Sequence, residues 1–264
     1  MLMSAPLAAR DVVLVTGASS GIGEAIARRL AARGCRLALA ARSAPELERV
    51  AAACRAAGGE AATFPTDVAE EAPCRAFVAG AAARYGRIDA LVNNAGISME
   101  LRFEEIADLA LVERIMRVNF LGAVYCTHAA LPHLRATRGR IAAVSSLTGL
   151  SGVPTRTAYA ASKHAVRGFF DSLRIELAGS GVSVTVVYPG FVATDIAARS
   201  YGTRHVHDAH AMSADACARQ VVDAMDRRKR EVVMTARGKL GRWLMLLAPA
   251  LVDRIAARAI ARGR

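Results

Sequence analysis

The chain of 264 residues is poor in aromatic side chains, at 5%, and has a single tryptophan. Its core must therefore rest on aliphatic residues and alanine, and a hydrophobic content of 53% supplies them. That composition suits helices packed closely on a sheet in one large α/β domain. Cysteine is also scarce, with five residues and no Cys-x-x-Cys pair. The pattern indicates neither a disulfide framework nor a zinc site, and it fits a reducing, cytoplasmic setting. No stretch reaches the roughly 18 unbroken apolar residues of a membrane span. The opening residues lack the apolar run of a secretory signal. Acidic residues thin out at the far end. Residues 227–264 hold eleven lysines and arginines against Glu231 and Asp253, so +9 of the formal +12 lies there. This tail has no interleaved aromatics and no recognition module, which argues against nucleic acid as a partner.

What the chain does have is a regular alternation. Short apolar runs ending in small or polar residues lie at 11–15, 36–41, 60–66, 87–92, 139–146, 182–188 and 231–235. Runs of this kind read as buried parallel strands. Helical patterns separate them, at about 24–33, 104–134, 157–179 and 213–227. The alternation predicts a Rossmann-like, doubly wound parallel sheet of about seven strands with helices on both faces. Residues 1–235 form one domain on this reading, and 236–264 a basic amphipathic extension.

The first strand runs into Gly17-Ala18-Ser19-Ser20-Gly21-Ile22-Gly23 and then a helix. Strand, glycine-rich turn and helix start is the arrangement in which backbone N–H groups meet a phosphate. The alternative is three glycines that merely shape a tight turn. The second strand ends at Ala41-Arg42-Ser43, without the carboxylate that would select a free ribose 2′-hydroxyl. Arg42 and Ser43 suit a 2′-phosphate and favour NADP over NAD. The competing reading leaves Arg42 solvated and gives the ribose to Glu46. Asp67-Val68 closes the third strand, where Asp67 either accepts from an adenine amino group or caps the next helix. Asn93-Asn94-Ala95-Gly96 breaks the fourth strand with residues small enough for a backbone to approach a ligand. Asn119 stands in the apolar middle of a helical stretch and must find hydrogen-bond partners there.

Tyr159 and Lys163 lie four residues apart on a helix, so both project from one face. A cation beside the phenol predicts a Tyr159 pKa lowered toward neutrality, making it a usable proton donor and acceptor. Ser162 between them is expected on the helix surface. Ser146 ends a strand thirteen residues before Tyr159.

The ordered set of Thr16-Gly-Ala-Ser-Ser-Gly21-Ile-Gly23, Asn93-Asn94-Ala95-Gly96, Asn119, Ser146 and Tyr159-x-x-x-Lys163 resembles the short-chain dehydrogenase/reductase family over about residues 10–235. The resemblance implies an enzyme that moves a hydride between NADP(H) and a carbonyl or secondary alcohol. Tyr159 would be the general acid/base. Lys163 would hold the nicotinamide ribose and lower the Tyr159 pKa. Ser146 would hold the substrate oxygen, and Asn119 a relay water. Pro189, Gly190, Val192 and Thr194 would line the nicotinamide carboxamide. It also implies a homodimer or homotetramer built on the helices at 104–134 and 155–179. A nucleotide-sensing protein without chemistry, or a membrane-docked one, is the alternative on the same fold.

The expected substrate wall is Ser98, Leu147, Leu150, Val153, Pro154, Phe191 and Ile196, with residues 191–211 as a lid. Its mostly apolar character points to a lipid-, steroid- or aromatic-like molecule. His205-x-His207-x-x-His210 in the lid lacks a fourth metal ligand and reads as loop histidines; no metal is expected. In the tail, Arg242-Trp243-Leu244-Met245-Leu246-Leu247 precedes Pro249. Leu251, Val252 and Ile255 then face away from Arg254, Arg258 and Arg262. This apolar face is expected to pack on the domain or a partner subunit, or to lie on the inner surface of a membrane.

Overall fold

The computed structural model describes residues 5–194, 200–202 and 211–262. Seven strands form one parallel sheet: β1 (Val12–Thr16), β2 (Arg36–Ala41), β3 (Glu60–Pro65), β4 (Ala90–Asn93), β5 (Arg140–Val144), β6 (Ser183–Tyr188) and β9 (Glu231–Val233). Their order is β3-β2-β1-β4-β5-β6-β9. The inner strands are buried on both faces, which is why β1 and β5 do not alternate and are apolar except for Thr16 and Arg140 at their ends.

Two helical layers cover the sheet. Val13, Val15, Leu37 and Leu39 pack against α1 (Gly21–Ala31), α2 (Ala44–Ala56) and α7 (Ala214–Asp226). Val12, Leu14 and Ile141, pointing the other way, pack against α3 (Glu71–Tyr85), α5 (Gly122–Thr137) and α6 (Thr157–Glu176). Successive strand residues serve opposite cores, as a two-residue period requires. All five cysteines are buried thiols.

The chain winds outward from β1 to β3, then returns to place β4 on the other side of β1. The reversal opens a crevice between the carboxyl ends of β1 and β4, where such sheets bind ligands. Thr16 ties its two walls together. Its Oγ1 accepts from the backbone N–H groups of Asn94 and Ala95, at 3.0 and 3.1 Å. The Asn94 amide donates back to the carbonyls of Thr16 and Gly17.

The structure divides the helix expected at 104–134. A short helical turn (Phe103–Glu105) is followed by α4 (Ala110–Met116), a π-helical turn (Arg117–Leu121) and α5. The π turn is centred on Asn119, whose side chain reaches out of the helix for partners. The lid is also less irregular than expected at its ends, because β7 (Val192–Ala193) pairs in parallel with β8 (Met212–Ser213). Tyr201 forms a bridge to Met99. Ile196 and the histidines at 205, 207 and 210 lie outside the described residues. Beyond the sheet come α8 (Ala236–Leu247) and α9 (Pro249–Arg262).

Candidate active site

The turn after β1 needs its glycines for two separate reasons. Gly17 and Gly21 adopt φ of +64° and +58°, where a side chain is strained. Gly23 is required by contact: a Cβ there would lie 2.2 Å from the Gly17 carbonyl oxygen. Helix α1 thus starts directly against the turn, and the N-cap Ser20 makes no side-chain cap bond. Gly21 and Ile22, the first residues of α1, line a cavity of about 360 Å³.

Gly17, Ser19, Ser20, Gly21, Ile22, Arg42, Ser43, Asp67, Val68, Ala95 and Gly96 line that cavity, as do Pro189, Gly190, Val192 and Thr194. Two residues expected to touch a nucleotide stand behind the wall instead. Gly23 serves helix packing, and Asn93 is buried with its amide donating to Thr127 Oγ1 at 2.9 Å. Glu46 does not line the cavity; its carboxylate accepts from Arg49. Arg42 therefore stands at the end of β2 without a competing acid. Asp67 lines the cavity, and its Oδ1 accepts from the Ala69 N–H in the turn before α3, whose N-cap is Glu70 and not Asp67 as one reading expected.

Ser146, Tyr159 and Lys163 converge on the other end of the same cavity. Two bonds hold α6 to the end of β5: Ser145 Oγ donates to the Lys163 carbonyl at 3.0 Å, and Lys163 Nζ donates to the Val144 carbonyl at 2.9 Å. Ser146 follows just beyond the strand end, and its Oγ is steadied by the Thr148 N–H. Asn119 is the hub on the opposite side. Its Oδ1 accepts from the Ile97 N–H, and its Nδ2 donates to the Ile97 carbonyl and to Ser162 Oγ, at 2.8 to 3.0 Å. Ser162 is thus not on the helix surface. It is fully buried and links Asn119 to the Tyr159 carbonyl, to which it donates at 2.7 Å. A Cβ on Gly96 would lie 3.3 Å from Asn119 Oδ1 and 3.6 Å from Lys163 Nζ, so both polar atoms border one small space.

Burial dominates the electrostatics. It raises the Tyr159 phenol above its ordinary pKa, against smaller lowering effects from a Ser146 hydrogen bond and from Arg156. It pushes Lys163 down to about 8. The expected lowering of Tyr159 by Lys163 is therefore corrected. The ammonium lies 5.7 Å from the centre of the phenol ring and donates to Val144, while removal from water penalises the charged form of each group.

Of the expected substrate contacts, Ser146 and Tyr159 line the cavity. Ser98 is buried and accepts from Arg156 at 3.4 Å. Leu147 turns toward Gly190 and Gly238, and Leu150 packs on the core. Val153 is half-buried in the loop before α6, and Phe191 lies beneath the Arg156 guanidinium. Pro154 belongs to a shallow surface with Arg102 and Phe103. Arg114 and Tyr201 line the cavity without having been anticipated. No motif marks them, since α4 and the Tyr201–Met99 bridge bring them in from distant sequence.

The residues fit a dinucleotide: a helix start at the cavity wall, glycines where a Cβ would collide, and a cation at the end of β2. A family model described as short chain dehydrogenase matches residues 11–205. The chain is 41% identical over 247 residues to the 11-beta-hydroxysteroid dehydrogenase-like 4A of Arabidopsis thaliana, covering 91% of this chain and 82% of that protein. It is similar to the crystal structure of a short chain dehydrogenase/reductase from Burkholderia phymatum in complex with NAD, with a TM-score of 0.85, 25% identity and coverage of 95% and 96% of the two chains. It is similar too to an alcohol dehydrogenase from the archaeon Thermococcus sibiricus complexed with 5-hydroxy-NADP, with a TM-score of 0.77, 29% identity and coverage of 85% and 95%.

Proposed function

The chain belongs to the short-chain dehydrogenase family and is an oxidoreductase acting on CH–OH groups; on that premise we propose that it interconverts a carbonyl and a secondary alcohol on an apolar, steroid-like substrate with NADP(H). The observation that carries the reading is the convergence of Ser146, Tyr159 and Lys163 on the cavity that the glycine turn also lines. The name of the Arabidopsis relative supports a steroid-like substrate. Arg42, with Glu46 engaged by Arg49, supports NADP over NAD.

When bound, the nicotinamide supplies or accepts the hydride. The protein's own residues manage the proton and the charge. Negative charge growing on a carbonyl oxygen would meet two donors, the hydroxyls of Ser146 and Tyr159. Burial keeps the phenol protonated at neutral pH, so Tyr159 enters reduction as an acid. Lys163, with a pKa pushed down to about 8, is matched to return a proton to it near neutral pH. The small space beside Gly96, bordered by Asn119 Oδ1 and Lys163 Nζ, would hold the water of such a relay. Gly17, Ser19, Ser20, Gly21 and Ile22 would hold the pyrophosphate.

The test is turnover of hydrophobic ketones and steroids with NADPH and with NADH. NADPH is the expected better cofactor, and Tyr159→Phe is expected to lower kcat by about 10²–10⁴ while NADPH still binds. Full turnover in that variant overturns the mechanism. A folded chain that binds NADPH but converts nothing across a broad carbonyl panel supports the nucleotide-sensing alternative. The protein is further proposed to be cytoplasmic and to assemble as a homodimer or homotetramer through α5 and α6. Light scattering would show a mass of two or four chains, and a monomer at micromolar concentration would refute it.

A further inference from the structure

We propose that α8 and α9 form a docking surface for an anionic lipid bilayer, placed beside the mouth of the active site. The proposal starts from how α8 meets the domain. Thr235 caps the helix by accepting from the Gly238 N–H at 3.0 Å. Gly238 packs so closely that a Cβ there would lie 2.4 Å from Leu147 Cδ2. Leu147 follows Ser146, and Thr235 also approaches Gly190. The start of α8 is thus fixed at the carboxyl edge of the sheet, against residues next to the catalytic cavity. Arg242, one turn on, is tied to Glu231 on β9.

Gly238 and Arg242 mark the side of α8 turned to the domain, and neither is exposed. At 100° per residue Leu240, Trp243 and Leu247 fall on the opposite side and Leu246 on the flank between. These four are 61 to 80% exposed. On α9, Leu251 and Ile255 are exposed as well, at 47% and 54%. The expectation that this face packs on its own domain is not met among the described residues.

Charge decides what covers it. Arg237, Lys239 and Arg254 are exposed beside the apolar side chains. Asp253 is the single acidic residue of the two helices, and residues 227–264 carry a net +9. A second copy of the same face would bring like charges together. An anionic bilayer pairs with the cations and accepts the leucines. Tryptophan, with an apolar ring and one N–H donor, suits the boundary between headgroups and acyl chains. Among the described residues no helix is long and apolar enough to cross a membrane, so the geometry is that of a surface lying on the bilayer.

The readout needs no substrate and is independent of the proposed reaction. Trp243 is the only tryptophan of the chain, so its fluorescence reports this face alone. The full chain is mixed with phosphatidylcholine vesicles, with or without phosphatidylglycerol, and sedimented. Co-sedimentation with the anionic vesicles, a blue shift of Trp243 emission, and reversal by high salt are expected. The exposed position of Leu247 makes Leu247→Glu tolerable to the fold, and it should weaken binding by about tenfold or more. Arg237→Gln and Lys239→Gln should each weaken it by about fivefold. Equal binding to neutral vesicles, or no binding by a chain that circular dichroism shows to be folded, overturns the proposal. So does a blue shift that grows with protein concentration in the absence of lipid, which would mean that a second copy covers the face.

Discussion

At the scale of single residues, Lys163 shows how function opposes stability. Its folded pKa of about 8 lies below the ordinary lysine value of 10.5. Below pH 8 the fold must hold a buried ammonium, and the resulting destabilisation disappears as pH rises from about 8 to 10.5, where the unfolded chain binds more protons. Lys163→Met is expected to raise the melting temperature at pH 7 while abolishing turnover, with the difference shrinking at pH 10. Thermal denaturation across that range checks the sign. Arg156 acts on the neighbouring phenol. It pairs with the buried Glu100 at 3.6 Å and lowers the Tyr159 pKa. Arg156→Met should raise that pKa further, moving the basic limb of the reduction profile to higher pH and slowing oxidation at pH 7. Glu100→Gln releases the guanidinium charge and should move the limb the other way. Equal profiles in both variants would remove Arg156 from the electrostatics.

At the scale of elements, the site depends on contacts that fix one segment against another. The start of α1 is set by Gly23 against the Gly17 carbonyl, and the 2.2 Å approach leaves no room for a methyl group. Gly23→Ala should therefore push α1 off the turn, cost about 1–3 kcal/mol of stability and weaken NADPH binding. Chemical denaturation and a binding titration measure the two effects, and an unchanged dissociation constant would show that the turn does not hold the phosphates. The π turn at Asn119 is the matching device on the other side, where it frees one amide to hold Ile97 and Ser162 together. The Tyr159 backbone carbonyl is reached through that link. Tyr159 is positioned from outside its own helix as well as within it.

At the scale of the whole molecule, the chain has a polarity. The sheet's carboxyl edge gathers the glycine turn, Ser146, Tyr159 and Lys163, the Tyr201 bridge and the root of α8. The parallel sheet, its helices on both faces and the family membership that Tyr159, Lys163, Ser146 and the glycine turn point to were legible in the sequence. Apolar period, glycine spacing and the four-residue step of a helix are local properties, and local properties survive being read in one dimension. The basic, apolar tail was legible in the same way. Four things belonged to the tertiary structure alone. Ser162 is buried because Asn119 comes to it from forty-three positions away. Asn93 is a core residue because Thr127 faces it. Tyr159 is raised instead of lowered because the surrounding chain removes it from water. The apolar stripe of α8 is open because Gly238 turns the other side of the helix to the domain. Each depends on which distant segments share a space, and burial, unlike periodicity, is a property of the neighbours and not of the residue.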